Sequence, residues 1–282
     1  MPNLEFSLPD WRQSLRDAVT DPHELLALVG LPQLVDRLPA NDAGFALKVP
    51  RGFVARMCHG DPHDPLLLQV LPQLVELDAA AGFVDDAVGD LDAISGHGVL
   101  HKYEGRALLI AAGSCAVNCR YCFRRHFPYA EELAAGHAWR EAVACLAADA
   151  SIREVILSGG DPLVLSTQKL TELTDALRGL PQVIRLRIHS RLPVVLPERI
   201  DDAFIKWLSG LPLQRVMILH ANHPNELDAS VGAACRRLHE AGTTLLNQSV
   251  LLRGINDDAD VLGELSERLF AFGVLPYYLH QI

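Results

Sequence analysis

The chain predicts an α/β fold: an open, partial (β/α)6 barrel over residues 99–282, preceded by an N-terminal helical region over 1–98. Two observations carry this. From Arg106 onward, short β-rich runs alternate with amphipathic stretches, the signature of a parallel sheet built from βα units. The unusual polar strings also gather where those runs end, and in parallel βα barrels the C-terminal strand ends carry the active site. Six units fall short of a closed eight-stranded barrel, so the predicted sheet is curved and open.

The N-terminal region reads as helices with Pro- and Gly-punctuated connections. DPHELLALVGL and DPLLLQVLPQL each place Asp-Pro before an apolar-periodic run, a helix-start signal. No chemistry is expected there; a helical cap or an oligomerisation element is. The six predicted strands are RALLIAA, EVILSG, VIRLRIH, QRVMILH, TTLLNQS and VLPYYLH. Between them lie HAWREAVACLAADA, TQKLTELTDALRGL, ASVGAACRRLHEAG and DADVLGELSERLFAFG, each amphipathic at helical period.

Bulk properties narrow the function. Hydrophobic residues make up 49% of 282, ample for a large core, and no stretch approaches the ~18 apolar residues of a membrane span. The formal charge of −10 argues against nucleic-acid binding, where a basic patch is expected. The opening MPNLEFSLPD has neither a basic nor an apolar leader region, so no signal peptide is expected. Six cysteines without a disulfide framework point to a reducing cytoplasm. Cys58, Cys145 and Cys235 read as small buried hydrophobes.

The run GSCAVNCRYCFRRHFPY is the most informative stretch. Cys115, Cys119 and Cys122, spaced C-x3-C-x2-C directly after the first strand, suit three corners of a [4Fe–4S] cluster and leave a fourth iron open. An open iron is what S-adenosylmethionine needs in order to chelate. A zinc knuckle is the alternative, but zinc prefers four tetrahedral ligands and only His126 stands near. A disulfide would leave one cysteine over.

Other strand ends add candidates. In Ser158-Gly159-Gly160-Asp161-Pro162 the glycines let backbone approach a ligand, here the methionine amino group of S-adenosylmethionine; an ordinary strand-to-helix turn has the same composition. Arg106, Arg120, Arg124 and Arg125 cluster around the cysteines, a pattern for phosphate or carboxylate in an acidic chain. Arg124 could clamp a substrate carboxylate, against the alternative of a solvated surface pair. His189, Ser190 and Arg191 are expected near cofactor, with His189 carrying little weight alone. His220 and His223 lack a third ligand, so no second metal is expected. Asn247 and Gln248 end a buried strand, where amides need partners. Asn256-Asp257 reads as a helix N-cap.

Together these residues resemble the lysine 2,3-aminomutases among radical S-adenosylmethionine enzymes. SGGDPL, RIHSRLPVVLPERI, NHPNE and NQSVLLRGIND are similar to that family in the same order. VLHKYEGRALLI, CAVNCRYCFRRHFPYAE, PYYLHQ, KVPRGFVARM and GDPHDPLLLQVLP resemble the branch that acts in elongation factor P modification, so the likeness spans essentially the whole chain.

The resemblance implies a radical-SAM partial barrel holding a [4Fe–4S] cluster, S-adenosyl-L-methionine and pyridoxal 5′-phosphate. It implies an isomerase in which a 5′-deoxyadenosyl radical takes hydrogen from C3 of lysine and the amino group moves from C2 to C3, giving (R)-β-lysine. Cys115, Cys119 and Cys122 would ligate the cluster, and Gly159, Gly160, Asp161, Arg191 and Gln248 would serve the cofactor site. Arg124 would bind the lysine carboxylate and Arg106 would lie near pyridoxal phosphate. An electron donor such as flavodoxin, elongation factor P and its β-lysine ligase would be the functional partners.

One departure shapes the expectation. In the family the pyridoxal-anchoring lysine and the acidic residues for the substrate ammonium follow the sixth strand, whereas this sequence ends at Gln281-Ile282. Its lysines are Lys48, Lys102, Lys169 and Lys206, none in a matching context. A truncated, radical-generating core is therefore expected. The alternatives are an aminomutase for another amino acid and a non-catalytic iron–sulfur scaffold.

Overall fold

The computed structural model describes residues 10–39, 46–78, 82–96, 98–134 and 139–281. The opening MPNLEFSLP read for a leader lies outside them, as do the first two residues of HAWREAVACLAADA.

One sheet organises the molecule, with strands in chain order: β1 (Ile94–Gly96), β2 (Val99–Tyr103), β3 (Arg106–Ala112), β4 (Glu154–Gly159), β5 (Arg185–Ser190), β6 (Gln214–His220), β7 (Thr244–Val250) and β8 (Leu275–His280). β3 to β8 are parallel, the six expected strands, and the sheet stays open as the unit count predicts. The register runs through apolar residues, Leu109 beside Leu157, Leu157 beside Ile188, Ile188 beside Met217 and Met217 beside Leu245. A strand buried on both faces reads as a continuous apolar run, as β4 does with all six residues buried.

The crossovers follow from capped amphipathic helices. α1 (Trp11–Arg16), α2 (Pro22–Leu28) and α3 (Arg51–Val54) lie in the N-terminal region; α4 (Arg140–Ala148), α5 (Thr167–Leu177), α6 (Leu192–Val195), α7 (Asp202–Ser209), α8 (Ala229–Glu240) and α9 (Ala259–Ala271) follow. Ser166, Asp201, Asp228 and Asp258 cap α5, α7, α8 and α9 by accepting first-turn backbone N–H bonds. The cap of α9 is thus Asp258, not the expected Asn256-Asp257. Asn256 is fully buried and bonds the Leu252 N–H and the Asn222 and Val250 carbonyls, a loop pin rather than a cap.

The N-terminal region corrects the helical expectation in one respect. β1, at the end of that region, pairs antiparallel with β2, and β2, just past it, pairs antiparallel with β3, the β2–β3 turn running through Glu104-Gly105. Both strands are short and β2 exposes its last two residues, so neither shows a strand period. The region also shares one buried apolar cluster with the barrel. Arg199, fully buried, lies between the Trp11 and Phe204 rings (4.6 and 4.7 Å) and donates to the Leu163 and Leu165 carbonyls, pinning α1 to the barrel wall.

Candidate active site

The cysteine loop leaves the C-terminal end of β3 and is held down from the N-terminal side. Asn118 N–H donates to the Lys48 carbonyl (3.0 Å), Arg120 N–H to the Gln69 carbonyl (2.9 Å). Glu76 then takes both flanking arginines, Arg120 Nε at 2.6 Å and Arg125 Nη1 at 3.0 Å. Cys115, Cys119 and Cys122 are unpaired and partly exposed at the mouth. Burial pushes the Cys115 thiol up strongly and that of Cys122 to about 11, so both keep their protons until a metal displaces them. No three His, Cys, Asp or Glu side chains among the described residues converge on a single ion. A cubane asks for something different, one thiolate on each of three irons, and this all-sulfur donor set fits it.

Gly159 and Gly160 bring the loop against the sheet. Gly159 has φ +115°, and a Cβ there would stand 2.5 Å from the Ala112 oxygen; at Gly160 it would stand 2.4 Å from the Ser114 oxygen. The backbone closes on itself through Gly160 N–H to Ala112 O (2.6 Å) and Asp161 N–H to Ser114 O (2.9 Å). Tyr129 Oη donates to the Gly159 carbonyl at 2.9 Å. The glycines are thus required by loop packing itself, apart from any ligand.

Arg124 is buried, unlike a solvated surface arginine. Its Nε donates to Asp90 Oδ2 (2.7 Å) and its Nη1 to Ser158 Oγ (2.8 Å). Asp90 also pairs with Lys102 Nζ at 2.5 Å. Arg124 lines a cleft with Asp90, Leu91, Phe123 and Phe127. Asp90 and Ser158 fix the plane of the guanidinium and leave Nη2 outside both contacts, and Asp85 and Asp86 also line the cleft.

Asp161 organises the next strand end. Its two oxygens accept from the Leu163, Arg191 and Leu192 N–H groups and from Ser190 Oγ at 2.7–3.2 Å. Burial raises its carboxyl to about 6 against those four donors. Arg191, so fixed, donates from Nη1 to Cys119 Sγ (2.7 Å) and from Nη2 to Gln69 Oε1 (2.7 Å) and Glu226 Oε2 (2.9 Å).

Inside the barrel His189 and His220 meet edge-on at 6.2 Å, each with a buried Nε2 that has no partner. Burial lowers both imidazoles, His220 to about 3, so both are neutral. Gln248 Nε2 lies 3.5 Å from His220 Nδ1. A buried nitrogen left without a partner costs free energy unless water or a ligand satisfies it.

The structure therefore gathers Cys115, Cys119, Cys122, Gly159, Gly160, Asp161, Arg124, Arg191 and Gln248 at one end of the sheet. Arg106 is elsewhere: it starts β3, six residues and ~20 Å from Ala112. There it lies over the Tyr103 ring at 4.9 Å and acts, with Arg187, on the Tyr277 hydroxyl of β8. Asn247 also differs from expectation, since its amide is satisfied by the Ala221 backbone and Ser249. Of the lysines, Lys48 acts on Cys115 and Lys102 pairs with Asp90, while Lys169 and Lys206 are exposed on α5 and α7. Sequence reasoning missed Gln69, Glu76 and Asp90. Their only signal was polarity within an otherwise apolar helical region.

Comparison with known proteins matches residues 95–183 to a family described as a 4Fe-4S single cluster domain. The chain is 48% identical over 276 residues to the L-lysine 2,3-aminomutase of Escherichia coli (strain K12), covering 97% of this chain and 80% of that protein. It is 46% identical over 274 residues to the L-lysine 2,3-aminomutase of Haemophilus influenzae, with 96% and 80% covered. One solved structure, a histidine-tagged anSMEcpe with bound AdoMet, shares a TM-score of 0.36 at 12% identity over 45% of this chain and 36% of that one. A likeness that slight carries no argument.

Proposed function

The chain belongs to the L-lysine 2,3-aminomutase family, and from that premise we propose that it isomerises L-α-lysine to (R)-β-lysine with a [4Fe–4S] cluster, S-adenosyl-L-methionine and pyridoxal 5′-phosphate. The observation that carries this reading is the convergence of Cys115, Cys119 and Cys122 with the Gly159–Gly160 turn and Arg124 at one strand end. When bound, the cluster and S-adenosylmethionine supply the organic radical and pyridoxal phosphate supplies the imine chemistry; the protein supplies orientation and exclusion of water.

The chain's own residues have separable tasks. The three cysteines hold the cluster with its fourth iron open. The Gly159–Gly160 backbone and Gln248 flank the space for S-adenosylmethionine. Arg124, aligned by Asp90 and Ser158, takes the lysine carboxylate on its outer edge. Arg106 and Arg187 act on the half-exposed Tyr277 at the opposite end of the sheet, and Arg187 is paired with Glu154, so the phosphate of pyridoxal phosphate is not assigned to them. The neutral, buried His189–His220 pair adds no charge beside a radical.

The finer reading places the product in modification of elongation factor P, through its β-lysine ligase, with flavodoxin or a similar donor reducing the cluster in the cytoplasm. VLHKYEGRALLI and PYYLHQ, the strings that mark this branch, support it. The test is anaerobic: reconstitute with iron and sulfide, add dithionite, S-adenosylmethionine, pyridoxal phosphate and L-lysine, and quantify 5′-deoxyadenosine and β-lysine. Both are expected. An intact S-adenosylmethionine pool would overturn the radical chemistry, and 5′-deoxyadenosine without β-lysine would keep that chemistry and overturn the assignment of lysine rearrangement to these residues.

A further inference from the structure

A buried cation stands against one cysteine of the site. Arg191 Nη1 donates to Cys119 Sγ at 2.7 Å, with the arginine side chain 6% exposed. Three parts of the chain hold it there. Glu226, fully buried after β6, binds Nη2 at 2.9 Å; Gln69, from the N-terminal region, binds it at 2.7 Å; Asp161 fixes its backbone N–H at 2.7 Å. Asn222 Nδ2 ties Gln69 Oε1 to the Tyr121 hydroxyl (2.9 and 2.6 Å), closing the network beneath the loop. The Phe53 and Tyr121 rings each lie 5.5 Å from the guanidinium carbon.

This is more than a structural ion pair requires. Glu226 and Gln69 could satisfy Nη2 with the guanidinium turned either way, yet the fork directs Nη1 at sulfur and leaves Nε buried without a partner. A cluster gains one negative charge on reduction, shared with its thiolate sulfurs. Hydrogen bonds to those sulfurs and nearby charge set the potential at which this happens. In a buried site the effect is weakly screened.

We propose that Arg191, tethered by Glu226 and Gln69, is a positioning residue that sets the reduction potential of the cluster on Cys115, Cys119 and Cys122. The inference rests on the cluster reading of those cysteines. The step is one electron from a low-potential reductant, dithionite in the assay, onto the oxidised cluster. No bond forms or breaks, and the N–H donated to Cys119 strengthens as the sulfur gains charge. Arg191 favours the reduced state. Glu226 opposes it, so the potential reflects the balance of the two charges.

The opposed signs supply the test. The reconstituted full chain would be titrated anaerobically with dithionite, following the reduced cluster by electron paramagnetic resonance, in wild type, R191Q, R191K and E226Q. R191Q should lower the potential by at least a tenfold change in the reduction equilibrium, 59 mV for one electron. R191K, which keeps the charge, should recover part of that shift. E226Q should raise the potential. A merely structural network would move all variants the same way or none, and either result overturns the proposal. If R191Q takes up no cluster, E226Q and R191K still decide it, by an upward shift in the first and a smaller downward one in the second. A wild type that takes up no [4Fe–4S] cluster would overturn this proposal together with the proposed function. A wild type with a titrating cluster whose potential the variants leave unmoved would overturn this proposal alone.

Discussion

Asp90 Oδ2 accepts a 2.7 Å hydrogen bond from Arg124 Nε, both side chains being buried beneath the cysteine loop. The carboxylate lies in the N-terminal region and the guanidinium two residues past Cys122, so one contact ties the two parts of the chain at the site. With Lys102 on its other oxygen, Asp90 balances two cations.

Removing that charge should therefore be costly. Asp90→Asn leaves Arg124 buried against a neutral partner, and breaking a buried pair costs about 3–5 kcal/mol. The expected result is a lower denaturant midpoint of that order, with weaker lysine binding. Chemical denaturation checks the first, calorimetric titration with lysine the second.

Arg124 itself should be intolerant of lysine. Arg124→Lys keeps the charge but loses the planar fork that Asp90 and Ser158 align. Charge-assisted bonds of this kind contribute ~1.5–3 kcal/mol, so lysine affinity should fall about 10- to 100-fold. Iron content should change little, since the hydrogen bond to Cys122 comes from the Arg124 backbone and the positive charge beside it is kept.

The glycine turn should tolerate no side chain. In Gly160→Ala the new Cβ would meet the Ser114 oxygen at 2.4 Å, pushing the cysteine loop off β4. Overpacking of this kind costs ~1–3 kcal/mol, and iron incorporated per chain should drop. Gly263→Ala, on exposed α9 with nothing within 4 Å of its Cβ, is the contrast and should stabilise by ~0.5–1 kcal/mol. Iron assay and unfolding midpoints separate the two.

The barrel histidines should make stability depend on pH. Both are lowered in the folded chain, His220 to about 3, from near 6.5 when unfolded. Between those values the unfolded state binds the extra protons, so stability is present above ~6.5 and lost as pH falls. Each histidine contributes a slope of at most ~1.4 kcal/mol per pH unit. Unfolding free energies from pH 7 to 5 should fall less steeply in His220→Asn, which removes one of the two groups.

Much of the site is legible in local pattern. The C-x3-C-x2-C spacing, the paired glycines and the arginine after the last cysteine lie within single strand-end loops, so their placement needs only the strand assignment. Gln69 and Glu226 are not legible in that way. They are 157 residues apart and meet Arg191 only in the folded chain. Asn247 reads as an open amide until β6 is laid beside it and the Ala221 backbone satisfies it.

The βα alternation, the six parallel strands and the end at which chemistry gathers are already written in the residue order. Those follow from apolar periodicity and from local loop composition, which act over a few residues. That the N-terminal region supplies Gln69, Glu76 and Asp90 to the site emerges only in the folded chain. Buried charges take whatever counter-charge the packing brings near. Desolvation makes that pairing obligatory, and chain separation hides it from any local pattern.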